Sequence, residues 1–396
     1  MKILQICSKP TYPETDGYTL AVNHITKSLL SQNHILKIIT ISTQKHSVGY
    51  MSNKYRKNTD FEHVFIDTTI RIIPAFLNLF SNKSYNIIRF IDKRFLDKLF
   101  ELLKNNEYDI IIFEGLFVSS YIDFVIKNSN SKVLLRAHNV ESEIWKGIAS
   151  QTKNIFKRWY INHLQKKLYR YEKSIISKFD GIITISEKNM EWMKEQNAKA
   201  ITTIPFCIDT DFNIKKDISK TETLFHIGSM DWQPNINGIN WFINKVWPIV
   251  YEKNNRIKLH LAGKNLPDSL QRMDKKNIII EVEVENANNF MRSFNLMIVP
   301  LWSGSGIRIK ILEAMSLGKT IISTSIGASG IICENNKNIL IADHPEKFAS
   351  IILKFIKNKN ECQRIGENAK LNIKENYNLD KINVELSSFL DKIYQS

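Results

Sequence analysis

Residues 295–315 read NLMIVPLWSGSGIRIKILEAM. A short apolar run ends at Pro300, which has no N–H to continue a ladder, so a strand should stop there. Gly304 and Gly306 follow and let the backbone approach a ligand closely. From about Ile307 the apolar residues recur at helical spacing, which predicts a helix starting there. A strand, a glycine loop and a helix start together outline an anion site, because first-turn N–H groups and the helix dipole favour a phosphate. Arg308 and Lys310 then fall in the first turn, a poor place for cations unless an anion binds beside them. Glu313 lies about 7 Å further along the axis, at reach of hydroxyls attached to that phosphate. A plain crossover with two solvated cations fits the same string.

Outward from this stretch the pattern repeats. Short apolar runs at 3–8, 35–41, 109–113, 132–135, 181–185 and 200–204 are each followed by a segment with helical spacing. A second series runs 223–227, 257–262, 277–284, 295–299, 320–323 and 338–342. Strands alternating with helices build parallel sheets, and the restart predicts two of them, an α/β chain of two doubly wound domains. At 396 residues, with 43% hydrophobic and 24% charged side chains, the chain can fill two cores. The polar stretch 205–221 reads as the linker and 376–394 as a terminal docking helix. Ligands of such sheets bind outside the carboxyl ends of the strands, so two facing sheets predict a cleft.

Other residues stand at strand ends. His138, in Arg136-Ala137-His138-Asn139-Val140-Glu141, can exchange a hydrogen bond with a sugar hydroxyl at neutral pH, or be a structural hydrogen-bonder. Asp16-Gly17-Tyr18 lies between the first strand and its helix, as a ligand loop or an ordinary turn. The loop 326–330, rich in small residues, has the same two readings. Gly318-Lys319-Thr320 looks like the end of an ATPase phosphate loop, but Glu313 stands where that motif needs glycine and Thr320 opens a strand. An ATPase is excluded.

The net charge is +15, with +11 in residues 1–200 and +4 in the rest. This attracts anions or reflects lysine drift. No zinc-finger spacing, basic zipper or RNA-binding signature is present, and nucleic acid is not expected as a partner. The four cysteines are far apart and read as free thiols. The opening run is interrupted by Gln5 and too short for a leader, and no run reaches about 18 apolar residues, so the expected place is the cytoplasm. Residues 72–80, leading into 83–100, and residues 156–178 mix aromatic and basic side chains. They read either as helices lying on an anionic membrane surface or as core-facing amphipathic helices.

Taken in order, the loop at Asp16-Gly17-Tyr18, Arg136–Glu141, Phe179–Ser186, Ile204–Asp209, Gly228-Ser229-Met230-Asp231-Trp232-Gln233-Pro234-Asn235 and Leu312-Glu313-Ala314-Met315 with Gly318 resemble the retaining glycosyltransferases of family 4, which have the GT-B fold. The resemblance covers nearly the whole chain. It implies a hexosyltransferase using a nucleotide diphosphate sugar, with no cofactor and no essential metal, and a glycan or lipid-linked acceptor, in capsule, exopolysaccharide or lipopolysaccharide synthesis. The domains it implies are 1–206 on the acceptor side, 207–375 for the nucleotide sugar, and 376–396 packing back on the first. Glu313 takes the second place of the family's paired-glutamate motif and would hold the donor ribose; Ser305 stands at the first place. Ser229 follows Gly228 where the family commonly has arginine, and Arg308 and Lys310 are the substitutes for binding the diphosphate. His138 matches the active-site histidine and Gly17 the loop that meets donor and acceptor. Gly304, Gly306 and Ile307 complete the implied donor site. Peripheral attachment to the cytoplasmic membrane is compatible with the basic first half. A GT-B sugar-nucleotide epimerase, or a basic nucleic-acid- or membrane-binding protein, are the competing readings.

Overall fold

The computed structural model describes residues 1–14, 16–208, 222–230, 232–272, 276–282, 284–304 and 306–396. The chain divides into two compact units, one of Met1–Cys207 with Asp380–Ser396, the other of Ile208–Leu379. Most of the stretch 205–221 read as linker lies outside the described residues.

The first unit holds a seven-stranded sheet of β1 (Lys2–Cys7), β2 (Ile35–Ser42), β3 (Glu62–Phe65), β4 (Ile110–Glu114), β5 (Lys132–Ala137), β6 (Gly181–Thr184) and β7 (Ile201–Thr203), in the order β3-β2-β1-β4-β5-β6-β7. The second holds six, β8 (Thr223–Ile227), β9 (Lys258–Ala262), β10 (Ile278–Glu281), β11 (Leu296–Val299), β12 (Thr320–Ser323) and β13 (Leu340–Ile341), in the order β10-β9-β8-β11-β12-β13. Every pairing is parallel. Two doubly wound α/β sheets are therefore present. All twelve expected runs contain a strand, and β3 is an addition. Its sequence, EHVF, has two apolar residues in a half-exposed edge strand, too little signal to stand out.

Central strands are buried on both faces, so both faces carry a core. Along β4, Ile111 and Phe113 join Leu4, Ile39, Phe95 and Leu99 on one side, while Ile110 and Ile112 join Ile3, Ile25 and Leu29 on the other. The helix Leu379–Gln395 closes that second side with Ile382, Leu386, Phe389, Leu390 and Ile393. Each such side chain contributes on the order of 1.5–3 kcal/mol by leaving water. Val384, on the same helix, is 70% exposed. The helix lies flush on Gly181 of β6, where an added Cβ would meet Phe389 Cζ and Ile393 Cδ1 at 2.9 Å. Of the segment 83–100, the helix Lys93–Asn105 turns Phe95 and Leu99 into the core, so this part is core-facing. Among the described residues no helix is long and apolar enough to cross a membrane.

Candidate functional site

In the second unit the strand order reverses between β8 and β11, and open parallel sheets bind ligands outside such a switch point. Two loops leave the sheet there. One follows β8 through Gly228 and Ser229 to Trp232, with Asn235 Nδ2 donating to the Ser229 carbonyl at 2.7 Å. The other follows β11 through Gly304 and Gly306 to Arg308. Gly304 has φ +105°, and a Cβ there would lie 2.7 Å from Cζ2 of Trp232, so conformation and space both demand glycine. The Arg308 guanidinium donates to the Gly304 carbonyl at 2.9 Å and to the Gly306 carbonyl, and sits 5.3 Å from the Trp232 ring centroid. These charge-assisted bonds and the ring contact pin the two loops together.

The helix that follows is Ile309–Ser316 with Arg308 as its N-cap, two residues later than the expected start near Ile307. Gly306, at φ +83°, and the turned-back Arg308 side chain hold the loop out of helical conformation. Arg308 is accordingly a buried cation committed to its own loop rather than a solvated one in the first turn. Burial lowers its pKa to about 10, so it stays charged at neutral pH. Lys310 reaches one turn along the helix, Nζ to Glu313 Oε2 at 2.6 Å. Ile307 is half-buried in the loop. Ser305 lies outside the described residues.

The loop 326–330 joins this cluster from the β12 side. Ser323 Oγ donates to the Val299 carbonyl at 3.1 Å and Thr324 Oγ1 to the Leu301 carbonyl, while Gly327 N–H donates to Thr324 Oγ1 at 3.0 Å. Lys319 is buried and donates to the Arg292 carbonyl at 3.2 Å, at the entry of β12.

In the first unit the switch lies between β1 and β4. His138, just past β5, donates from Nε2 to Oε2 of Glu114 at the end of β4, 2.9 Å away. Glu114 is wholly buried and also accepts from Gln5 Nε2 at 3.0 Å and Arg136 NH1 at 3.2 Å. Burial raises its pKa, but the Arg136 charge and the bonds from His138 and Gln5 outweigh that and hold it below its ordinary value. The carboxylate is the acceptor, so Nε2 carries the His138 proton and Nδ1 is the basic nitrogen. Burial moves the His138 pKa down despite Glu114, and the imidazole is neutral at pH 7. Tyr18 stacks on it with centroids 4.9 Å apart, and its hydroxyl accepts from Ser8 N–H at 3.0 Å and donates to the Glu114 carbonyl at 3.1 Å. Gly17 opens the helix Gly17–Ser31, capped by Asp16 with Thr19, and Lys9 pairs with Asp16.

Glu114 and Gln5 are absent from the sequence-derived set, although each is a lone polar residue in an apolar strand. Glu141 was quoted there only as part of a motif. It is paired with Glu172, whose carboxylate caps the helix Glu141–Gln151 by accepting from the N–H groups of Glu141 at 2.9 Å and Ser142 at 3.1 Å. Desolvation raises both carboxyls to about 7, with each other's charge adding to the rise in Glu141.

Residues 221–358 match the family model described as glycosyl transferases group 1. The chain is 27% identical over 399 residues to an uncharacterised 44.6 kDa protein of the cps region of Klebsiella pneumoniae, covering 96% of this chain and 97% of that one. Among solved structures, sucrose-phosphate synthase from Thermosynechococcus elongatus superposes with a TM-score of 0.72 at 13% identity, covering all of both chains. HepE of Anabaena, in complex with UDP-glucose, superposes at 0.66 with 12% identity, covering 99% of this chain and 100% of its own. The fold and the family match agree: the chain is a glycosyltransferase with the GT-B fold, and its residues 221–358 match the group 1 family, whose donor is a nucleotide sugar.

Proposed function

We propose that the chain is a retaining hexosyltransferase that moves a sugar from a nucleoside diphosphate to a glycan or lipid-linked acceptor, on the cytoplasmic side, in the assembly of a surface polysaccharide. The observation that carries the donor assignment is the Lys310–Glu313 pair at the helix start beyond the glycine loop, at the switch point of the second sheet. The relative from a cps region supports the polysaccharide setting, and the UDP-glucose complex of HepE makes uridine diphosphate the nucleotide to try first.

In this reading Glu313 accepts from the ribose hydroxyls and Lys310 turns to the diphosphate. Arg308 adds a fixed positive charge below the loop, Gly228, Ser229, Gly304, Gly306 and Ile307 supply the close backbone approach, and Ser305 is assigned to the sugar hydroxyls. When the bond from the anomeric carbon to the diphosphate oxygen breaks, the charge left on the diphosphate is stabilised by these groups and by the helix N-terminus. The acceptor oxygen bonds to the same face of that carbon, and its proton passes to the departing diphosphate. His138 Nδ1 accepts from a hydroxyl of the transferred sugar, and the Gly17 loop lines the acceptor's approach.

Thermal unfolding with a panel of nucleoside diphosphates and nucleotide sugars tests this. A ligand at 100 times its dissociation constant stabilises the fold by about 2.7 kcal/mol. One nucleotide should give a selective shift that Glu313→Ala removes. No shift with any member of the panel would refute the donor site.

A further inference from the structure

We propose that the first unit docks on an anionic bilayer through an apolar and basic ridge formed by residues 70–80 and the opening turns of the helix Ile155–Ile176. The inference goes beyond sugar transfer and is tested without it.

The two segments are far apart in sequence but adjacent in space. Lys167 Nζ donates to the carbonyl oxygens of Asn78 and, at 3.3 Å, Leu79. Ala75 shares a small buried cluster with Tyr85 and Leu164. Trp159 stacks on His163 with centroids 5.8 Å apart, and positions 159, 163 and 167 fall on one helical stripe, so Trp159 lies on the side that meets residues 78–80. Beyond this contact the side chains leave the core. Ile72 is 85% exposed, Phe80 82%, Phe156 85% and Trp159 60%, and Ile70, Ile73, Phe76, Leu77 and Ile155 are exposed as well. Single exposed apolar residues are ordinary, but nine in two touching segments form a patch that wants a partner. The same helix is conventional further on, with Leu164, Leu168, Ile175 and Ile176 buried.

Charge selects the partner. Residues 68–91 and 144–171 together carry ten lysines and arginines and no aspartate or glutamate. Lys83, Lys153, Lys157, Arg158, Lys166 and Arg170 are exposed, as is Arg71, which pairs with Asp67 at 2.7 Å. A cleft lined by Lys83, Ile87, Ile91, Arg170 and Tyr171 puts two of these cations beside the ridge. Aromatic and aliphatic side chains ringed by cations match the interface of a bilayer with anionic headgroups, where each side chain enters the acyl boundary and each cation meets a phosphate.

The test is sedimentation of the full chain with vesicles of phosphatidylcholine alone and of an equimolar phosphatidylcholine–phosphatidylglycerol mixture. The chain should bind the mixture at least about tenfold more strongly, and added salt should shrink the difference. Phe156→Ser with Trp159→Ser, and separately Lys157→Ala with Arg158→Ala, should each lower binding to the mixture about tenfold or more, with unfolding temperature and nucleotide-induced shift unchanged. As a check that needs no such double variant, brominated lipid should quench tryptophan fluorescence in the wild type and less in Trp159→Phe. Absence of sedimentation, equal binding to both vesicles, or binding indifferent to both double variants overturns the proposal. So does a concentration-dependent dimer that forms without vesicles and is lost in Phe156→Ser with Trp159→Ser, since the ridge would then be covered by a second copy.

Discussion

Replacing Glu114 by glutamine tests the buried network that sets the state of His138. The side chain has no solvent exposure and accepts three hydrogen bonds, one from the guanidinium of Arg136, itself 1% exposed. Glutamine keeps the shape but removes the charge, leaving Arg136 with the Ala21 carbonyl at 2.8 Å and no carboxylate. Breaking a buried ion pair from one side costs about 3–5 kcal/mol, and because one acceptor oxygen survives the lower end applies, about 3 kcal/mol. At roughly 2–4 °C per kcal/mol for a unit of this size, the unfolding temperature of the first unit should fall by about 6–12 °C.

The pH dependence has a defined sign. The folded pKa of Glu114 lies below its ordinary 4.5, so its contribution is full above that value and is lost as the pH falls through the folded value. Calorimetry at neutral pH should show the full gap between wild type and Glu114→Gln, and calorimetry in acid below 4.5 a narrower one. The amide oxygen takes the place of Oε2, which accepts from both Arg136 and His138, and the amide nitrogen faces Gln5, so the His138 proton stays on Nε2 and nucleotide release measured below the unfolding transition should be retained. A gap under about 2 °C at neutral pH, or one that does not narrow in acid, would refute the reasoning.

At Gly304, alanine meets both a positive φ and the Trp232 ring at 2.7 Å, so Gly304→Ala should lower the unfolding temperature of the second unit and cut nucleotide binding at least about tenfold by calorimetric titration. Gly181→Val should lift the helix Leu379–Gln395 from β6, read as faster amide exchange across 380–395 than across β4. Because the Glu141 and Glu172 pKa values rise to about 7 on folding, their contribution is present below about 4.5 and is lost as the pH rises through 7. Glu141→Gln should accordingly raise the unfolding temperature at about pH 8 and leave it unchanged at about pH 4.

Strands buried on both faces read as continuous apolar runs, and for that reason the parallel sheets were legible from the sequence while the edge strand β3 was not. The strand-end rule put His138 and the glycine loop just past the carboxyl ends of strands, where the structure has them, because both positions depend on local order in the chain. Glu114 depends on pairing. Its register beside Cys7 and Arg136 is a property of the assembled sheet, and Gln5, Glu114 and Arg136 appear in sequence only as three polar interruptions scattered over more than a hundred residues. The late start of the helix Ile309–Ser316 has a similar origin. Arg308 looks like a first-turn cation until Trp232, from another loop, gives its guanidinium a place to lie. The ridge at 70–80 and 155–159 shows the converse, since amphipathic spacing alone does not separate a core face from an unpartnered one, and only burial divides the helix Ile155–Ile176 into the two.

The two cations beside the glycine loop are held in different ways, and this suggests how charge is handled at the second switch point. Arg308 is buried, bonded to two carbonyls and stacked on Trp232, so moving it would undo the loop itself. Lysine has neither the fork nor the plane to replace it, and Arg308→Lys is not a conservative change. Lys310 is 41% exposed and, among the described residues, tied along its own helix to Glu313, a pair of a kind worth about 0–1 kcal/mol in water. Opening that pair is therefore inexpensive, and it frees both partners at once: an ammonium for a diphosphate and a carboxylate for the hydroxyls attached to it. A fixed charge that shapes the loop and a movable one that follows the leaving group divide the electrostatic work, and the weakness of the Lys310–Glu313 pair is what makes the second role available.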